Sequence, residues 1–150
     1  SLYLEVMEGR EEGAPPPVDL ALEKKNGDFV RAQIEAGNIA ACHDISDGGL
    51  YVALAEMAMA AYMGMTISVV SGDVPLHALA FGEDQARYIL SVPVGKADDM
   101  LEMAQQAGII AQIIGETGGR ELIINKHIKI SVEHIHNAHN FWMEKYMTQT

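Results

Sequence analysis

Residues 43–50 read His-Asp-Ile-Ser-Asp-Gly-Gly-Leu, and this octet is the most informative part of the sequence. An apolar run at residues 39–42, Ile-Ala-Ala-Cys, precedes the octet and is typical of a buried strand. Apolar residues then recur at helical spacing, at Leu50, Leu54, Met57 and Ala61. The octet is therefore predicted to be the turn that joins a strand to a helix.

A turn of this kind can bind an anion. Backbone N–H groups at the start of a helix have no partner within the helix and lie at the positive end of its dipole, which favours phosphate or carboxylate. Glycine also lets a ligand approach the backbone closely. Carboxylate oxygens are ligands for a hard cation such as Mg²⁺, so Asp44 and Asp47 are candidate metal ligands, with Asp44 preferred. The candidate cofactor-binding residues are His43, Asp47, Gly48 and Gly49.

A purely structural interpretation of the octet stays open. Ser46 or Asp47 would then cap the helix, and the two glycines would relieve crowding in the turn. His43 directly precedes Asp44. As a neutral imidazole, His43 either orients that carboxylate, contacts a phosphate or serves the structure alone.

The longer stretch from His43 to Ala58, HDISDGGLYVALAEMA, resembles the C-terminal domain of the phosphoribosylformylglycinamidine synthase family. Further motifs of that family are matched in order along nearly the whole chain. They are Ser1-Leu2-Tyr3-Leu4, the F-G-E-x-Q-x-R run from Phe81 to Arg87, Ile114-Gly115 followed by Gly118-Gly119, and a terminal helix with Trp142. Sister families share a similar domain: aminoimidazole ribonucleotide synthetase, selenophosphate synthetase, a hydrogenase maturation factor and thiamine-monophosphate kinase. The kinase, with a shorter D-I-S-D-G motif, is the nearest rival.

The resemblance implies an α/β (α+β) fold, a three-layer α/β/α arrangement with a mixed sheet like the C-terminal domain of aminoimidazole ribonucleotide synthetase. Residues 1–150 would form a single C-terminal domain excised from a longer multidomain chain. The parent enzyme would be a carbon-nitrogen ligase of purine biosynthesis. It converts formylglycinamide ribonucleotide to formylglycinamidine ribonucleotide with ATP, Mg²⁺ and ammonia released from glutamine. By the pseudo-symmetry of the family, the octet faces an auxiliary nucleotide (ATP or ADP) position. No catalytic residue is expected here, and the isolated domain is expected to be inactive.

The resemblance also implies partners. They are the remaining domains of the same synthetase chain, a glutaminase subunit and a small bridging subunit. Two alternatives stay open: a domain of the thiamine-monophosphate-kinase or selenophosphate-synthetase type, and a purely structural domain that docks the other subunits. Replacing Asp44 by Asn separates a nucleotide site from a structural role, because it keeps the shape of the side chain and removes its charge.

Composition excludes several classes of function. The 21 acidic residues outnumber the 10 basic ones, which are scattered, so the net charge of −11 argues against a nucleic-acid partner. No apolar stretch reaches the roughly 18 residues of a membrane span, and no basic and apolar leader opens the sequence. The single cysteine, Cys42, cannot form an internal disulfide and is expected to be a buried, inert thiol. A cytoplasmic protein with no membrane partner is expected.

The periodicity predicts alternating strands and helices along the chain. The predicted strands cover residues 1–6, 39–42, 66–70, 87–93, 109–114, 121–125 and 128–132, with the last two paired through Lys126-His127. The predicted helices cover residues 20–36, capped by Asp19 and stopped by Gly37-Asn38, then the stretch from the octet to about residue 64, and 75–81, 96–107 and 133–147. Residues 8–17 are predicted to be a loop, because they include three consecutive prolines.

Polar residues outside the octet are assigned mainly structural roles. The polar run from Glu83 to Arg87 is first interpreted as an ordinary surface turn. The functional alternative predicts that Arg87 pairs with Glu83 or Asp44, and so steadies the ligand site, because a guanidinium group binds carboxylates bidentately. Glu56, the one acid in an apolar helix, is predicted to have a buried hydrogen-bonding role.

His134, His136 and His139 suggest a metal site that we reject. On a helix, His136 and His139 alone share a face, and no third ligand or cysteine is placed to complete a site. These histidines are expected on the solvated or interface side of the last helix. Most of the nine methionines are expected in the core, with some on a face that docks a neighbouring domain.

Overall fold

The computed structural model describes residues 1–148, apart from the side chain of Lys145. The backbone divides into two compact units. The first unit consists of residues 1–53 and 71–113, and the second consists of residues 54–70 and the chain from residue 114 onward.

Helices and strands alternate along the first two thirds of the described chain, and three successive strands and then two helices complete it. After a π-helical turn at Leu4–Glu8, the helices are α1 Leu20–Glu35, α2 Gly49–Ala61, α3 Leu76–Phe81, α4 Ala97–Gln106, α5 Val132–Asn140 and α6 Trp142–Thr148. The strands are β1 Ala41–Asp44, β2 Met65–Ile67, β3 Tyr88–Ser91, β4 Gly115–Thr117, β5 Glu121–Ile124 and β6 Ile128–Ser131.

The first unit contains an antiparallel pair of strands, β1 and β3, in which Cys42 lies opposite Leu90. Helix α1 begins as predicted, because the Asp19 carboxylate accepts hydrogen bonds from the N–H groups of Ala21 and Leu22. The helix ends at Glu35, and Gly37, just beyond it, has the left-handed φ of 71° expected of a helix stop. The buried apolar residues of this unit are Val30, Ile45, Leu50, Ala53, Ala80, Ile89, Met100 and Ala104.

The second unit contains a mixed four-stranded sheet in the order β4-β2-β5-β6. Strands β2 and β5 are parallel, whereas the two outer pairs are antiparallel. The predicted hairpin of β5 and β6 is confirmed. Its turn has positive φ angles at Asn125 and Lys126, the conformation that matches the twist of a tight hairpin. The buried apolar residues are Leu54, Ala58, Met65, Ile67, Val69, Leu122, Ile124 and Val132.

The predicted α/β class with a mixed sheet is confirmed, and the octet lies between β1 and α2 as predicted. Helices α3 and α4 lie within one residue of their predicted bounds. Among residues 1–148, no helix has the length and the apolar character needed to cross a membrane.

The predicted strand at residues 1–6 is wrong, since this segment forms the π-helical turn. Its backbone amides bond locally: the N–H of Glu5 donates to the oxygen of Ser1 at 3.2 Å, and the N–H of Gly9 donates to the oxygen of Glu5 at 3.1 Å. Alternation of apolar and polar residues produces a strand only where a neighbouring strand accepts these bonds.

The predicted strand at residues 109–114 is also wrong, because strand β4 starts only at Gly115. Its partner β2 ends at Ile67, and one further bond, from the N–H of Ser68 to the oxygen of Ile114 at 2.7 Å, closes the ladder. The side chains of Ile110 and Ile113 are exposed. The apolar run therefore has no core to pack against.

The predicted terminal helix is broken into α5 and α6 at Phe141. Helix α5 starts where the hydroxyl of Ser131 accepts a hydrogen bond from the N–H of His134. Asn140 donates its side-chain amide back to the ring of His136 at 3.0 Å. This contact joins two side chains one turn apart and leaves the helix backbone intact, so the break is ascribed to the weak helix propensity of Asn140 and Phe141.

The prediction that most methionines lie in the core is wrong. Two methionines, Met65 and Met100, are buried. Of the others, three are half-buried, Met57, Met59 and Met103, and four are exposed, Met7, Met63, Met143 and Met147. The exposed methionines lie at or beside helix ends, where the helical pattern no longer directs them inward.

Candidate functional site

The octet forms a compact turn in the first unit. Strand β1 ends at Asp44, and the N–H of Ile45 donates to the oxygen of Arg87 at 2.9 Å, which ties the turn to the start of β3. The side chain of Ile45 is buried, and the N–H of Gly49 donates to the oxygen of Ser46 at 3.0 Å. The turn is thus anchored at both ends by backbone bonds and in the middle by an apolar side chain.

Glycine is required at both Gly48 and Gly49. Their φ angles of 77° and 75° lie in the left-handed region, which is costly for residues with a Cβ. A Cβ on Gly49 would lie 2.6 Å from the carbonyl carbon of Phe81, and one on Gly48 would lie 2.6 Å from the side chain of Val52. The close approach that Gly49 permits is therefore that of the chain's own backbone.

A carboxylate already contacts the start of α2. The N–H of Gly48 donates to Glu83 Oε1 at 3.2 Å, and the same oxygen accepts from the N–H of Leu2 at 3.0 Å. The structural interpretation expected Ser46 or Asp47 to supply such an acceptor, but both residues are exposed and the acceptor comes from the F-G-E-x-Q-x-R run instead. The spacing along the chain carries no signal for this contact, because Glu83 lies 35 residues beyond Gly48.

The two octet acids are exposed, as a cation site would need. The side chain of Asp44 is 64% exposed, and Nδ1 of His43 lies 2.6 Å from the backbone oxygen of Asp44 and 3.6 Å from its Oδ1. His43 is thus folded against the residue that it was predicted to orient. Within residues 1–148, no three side chains of His, Cys, Asp or Glu converge at a point where a metal ion would sit.

Asp44 also lines an open hollow of the first unit. The hollow lies between one face of α1 and strand β1, and its lining residues are Gly27, Val30, Arg31, Ile34, Cys42, His43, Asp44 and Tyr88. At its rim the hydroxyl of Tyr88 donates to Glu23 Oε1 at 2.9 Å. Partial burial first, and then this bond, raise the pKa of Tyr88.

Cys42 is exposed, so the prediction of a buried thiol is wrong. Strand β1 pairs on one side, with β3, and so it is not enclosed as the apolar sequence suggested. Partial desolvation, followed by the charge of Asp44, nevertheless raises the pKa of the Cys42 thiol, which lowers the fraction present as the reactive thiolate.

Arg87 does not pair with Glu83 or Asp44, so that prediction is wrong. Its Nη1 lies 3.5 Å from Asp84 Oδ2 and 3.4 Å from the oxygen of Gly82. The guanidinium group stays within its own loop because Glu83 is turned toward the octet. Ala86, in the same loop, has a left-handed φ of 63° and accepts a 2.9 Å bond from the side-chain amide of Asn26.

The remaining predicted residues lie away from the octet along the chain, in the second unit. Glu56 is half-buried in α2. The ring of His136 lies edge-on to Tyr62, with 5.6 Å between centroids, while His134 and His139 are exposed, as expected for a solvated helix side.

Comparisons with known proteins give a consistent result. A subunit of phosphoribosylformylglycinamidine synthase, PurL, from Parvibaculum lavamentivorans is 51% identical over 149 residues, which is 98% of this chain and 20% of the relative. The structure of Thermotoga maritima PurL complexed with FGAR matches at a TM-score of 0.69 and 17% identity, over 79% of this chain and 21% of that one. The T. maritima PurLQS structure matches at 0.70 and 16% identity, over 89% and 24%.

The TM-scores of these structural matches show a shared fold. Because the sequence identity is low, they show the fold alone. The chain spans about a fifth of the length of the curated relative that it matches. The model of the family described as "AIR synthase related protein, C-terminal domain" matches residues 1–125, well over half of the sequence. The chain therefore belongs to the family of AIR synthase related proteins, as their C-terminal domain.

Proposed function

We propose that this chain is the C-terminal domain of a phosphoribosylformylglycinamidine synthase, the synthetase subunit of a larger enzyme. The 51% identity to a PurL subunit, spread over 98% of the chain, is the observation that carries the proposal. In the longer protein, the domain serves the ATP-dependent conversion of formylglycinamide ribonucleotide to formylglycinamidine ribonucleotide. The isolated domain is not expected to catalyse this reaction, because it covers a fifth of the relative and contains no assigned catalytic residue.

Within this function, we propose that the octet faces a nucleotide at an auxiliary, pseudo-symmetric position. Asp44 is the proposed Mg²⁺ contact, and its exposed carboxylate on an open hollow supports this role. A bound Mg²⁺ neutralises phosphate charge. With one protein carboxylate, such an ion takes its other ligands from water and phosphate oxygens.

The other proposed residues act on the shape and the charge of the turn. Gly48 and Gly49 set its left-handed backbone, and Asp47 lies exposed between the buried Ile45 and these glycines. His43 contacts the backbone oxygen of Asp44 at the end of β1, and its Nδ1 lies 3.6 Å from the carboxylate of that residue. Since the Gly48 amide already bonds to Glu83, the phosphate in this proposal is bound through Mg²⁺ rather than through that amide.

The proposed partners are the remaining domains of the same synthetase chain, a glutaminase subunit that supplies ammonia and a small bridging subunit. The cofactors are Mg²⁺ and ATP or ADP, and the location is the cytoplasm. The solved PurLQS structure, which has the fold of this chain, supports an assembly of this kind. The chain covers 20% of the P. lavamentivorans PurL subunit, a share that fits one domain of a longer synthetase chain.

A purely structural role is the second candidate. Two observations favour it: the amide at the start of α2 is taken by Glu83, and the close packing at Gly49 is against the chain's own backbone. In this case the domain supports the fold of the synthetase and binds no nucleotide.

The thermal midpoint of the 150-residue chain with saturating Mg²⁺-ADP separates these two candidates. Ligand at a hundredfold excess over its dissociation constant stabilises by about 2.7 kcal/mol, which should raise the midpoint by roughly 5–10 °C. The rise should vanish in Asp44→Asn. It should persist in Asp73→Asn, which removes a charge from an exposed loop residue of the same unit. An equal rise in all three proteins would refute the role of Asp44, and no rise in any would favour the structural candidate.

Complementation tests the wider assignment. The matching fifth of the P. lavamentivorans PurL subunit is replaced by this chain, and the chimera is expressed in a strain that lacks its own synthetase. Growth without added purine is expected if the chain is the domain proposed here. A chimera that is expressed and folded but fails to support growth would contradict the assignment. Growth of both the wild-type chimera and its Asp44→Asn variant would support the assignment and contradict only the proposed role of Asp44.

A further inference from the structure

We propose that Glu83 is a positioning residue that couples the octet turn to the opening segment of the chain, residues 1–3. One carboxylate oxygen, Oε1, accepts from the N–H of Leu2 at 3.0 Å and from the N–H of Gly48 at 3.2 Å. Bonds to an ionised acceptor are stronger than neutral ones. The inference goes beyond the proposed function, because the coupling operates whether or not a nucleotide binds.

An aromatic contact joins the same segments independently. The ring of Tyr3 stacks on that of Phe81, with 4.8 Å between centroids and 17° between planes. Tyr51, in the first turn of α2, packs edge-on against the same ring at 5.5 Å. Phe81 therefore contacts both the opening segment and α2, two residues before Glu83.

The backbone that carries Glu83 has little freedom to move. The N–H of Gly82 donates to the oxygen of Ala78 at 2.8 Å, and a Cβ on Gly82 would lie 2.3 Å from that oxygen. On the other side, the backbone of Phe81 and Gly82 lies against Gly49. Asn26 holds the left-handed Ala86 by a 2.9 Å bond. A change at Leu2 is thus transmitted through the half-buried Glu83 side chain rather than absorbed by its loop.

In this coupling, loss of one of the two bonds to Glu83 weakens the other. When the opening segment is displaced, Oε1 loses one of its two donors, and the Glu83 side chain regains rotational freedom. The bond to Gly48 then opens more often. Because such coupling is reciprocal, loss of the Gly48 bond also loosens the opening segment.

Hydrogen exchange of the Gly48 amide, measured by NMR on the 150-residue chain, tests the proposal. Glu83→Ala is expected to speed this exchange about tenfold, and Glu83→Gln, which keeps a neutral acceptor, to speed it less. Tyr3→Ala touches neither Glu83 nor Gly48 but frees the opening segment, and it should speed the exchange about threefold. Tyr3→Ala should have a smaller effect when it is added to Glu83→Ala than it has alone, because the part of its effect that passes through the carboxylate is then already lost.

The controls separate positioning from general loss of stability. Asp84→Ala removes the neighbouring carboxylate, which contacts Arg87 rather than the octet, and should leave the Gly48 amide unchanged. The amide of Ile45, bonded to the oxygen of Arg87, should keep its protection in every variant. Gly48 exchange within twofold of the wild type in Glu83→Ala, or additive effects of the two substitutions, would overturn the proposal. If Glu83→Ala fails to fold, Glu83→Gln with and without Tyr3→Ala gives the same test.

Discussion

At the scale of single residues, Asp44 and Cys42 influence each other. They lie two positions apart on β1, so their side chains lie on the same face of the strand. Partial desolvation and then the negative charge of Asp44 raise the pKa of the thiol above its usual 9.0. A thiol reacts as its thiolate, so Asp44 slows the chemistry of Cys42 at neutral pH.

Removing the charge of Asp44 should therefore make Cys42 more reactive. In Asp44→Asn the pKa of the thiol falls toward its usual value, and the rate of alkylation by iodoacetamide near neutral pH is expected to rise. The rate should be unchanged in Asp73→Asn, which lies outside the strand. A rate that is equal in the wild type and in Asp44→Asn would show that desolvation alone sets the pKa of Cys42.

At the scale of secondary-structure elements, Asn125 closes the parallel pair of β2 and β5. Its Oδ1 accepts from the N–H of Val69 at 2.8 Å, its Nδ2 donates to the oxygen of Val69 at 3.1 Å, and its own N–H donates to the oxygen of Ile67 at 2.8 Å. The side-chain amide of Asn125 thus bonds to the backbone of Val69 as the backbone of one more β5 residue would, and extends the pairing of β2 with β5. Its φ of 51° also starts the hairpin turn.

Asn125→Ala is expected to lower the free energy of unfolding by about 2–3 kcal/mol, measured by urea denaturation. Two side-chain hydrogen bonds contribute about 1 kcal/mol each, and alanine adds roughly 1 kcal/mol of strain at a positive φ. Asn125→Gly removes the bonds without the strain, and should cost about 1 kcal/mol less than Asn125→Ala. Equal losses in the two variants would show that the backbone conformation contributes nothing.

At the scale of the whole molecule, three groups make the protein sensitive to alkali. Burial raises the pKa of Tyr51, and burial together with the bond to Glu23 raises the pKa of Tyr88 above the usual 10.0. The pKa of Cys42 is raised in the same direction. Each group keeps its proton to a higher pH in the folded state than in the unfolded state. Each contribution to stability is therefore complete below the usual pKa and is lost as pH rises through the folded value.

The free energy of unfolding should accordingly fall as pH rises beyond about 9–10. Tyr88→Phe should show a shallower fall over this range, at the cost of about 1 kcal/mol at neutral pH from the lost bond to Glu23. The measurement is urea denaturation over a series of pH values, with the exposed Tyr146→Phe as the matched control. If the free energy of unfolding falls as steeply with pH in Tyr88→Phe as in the wild type, the sensitivity to alkali comes from Tyr51 and Cys42.

Features that depend on residues close together in the chain were predictable without the structure. The Asp19 cap, the Gly37 stop and the strand-to-helix turn of the octet follow from local hydrogen bonding, glycine geometry and apolar spacing. The hairpin of β5 and β6 follows from the same local rules. Each of these signals operates within a few residues, and so it can be read without knowing the rest of the fold.

Contacts between groups far apart in the chain became known only from the folded structure. The contact of Glu83 with Gly48 spans 35 positions, and that of Asn125 with Val69 spans 56. The exposure of Cys42 and the absence of a strand at residues 1–6 likewise depend on whether a neighbour covers or pairs with the segment. The physical reason is that a backbone amide, a carboxylate or an apolar strand takes whichever partner the packed chain places beside it, and local sequence does not specify that partner.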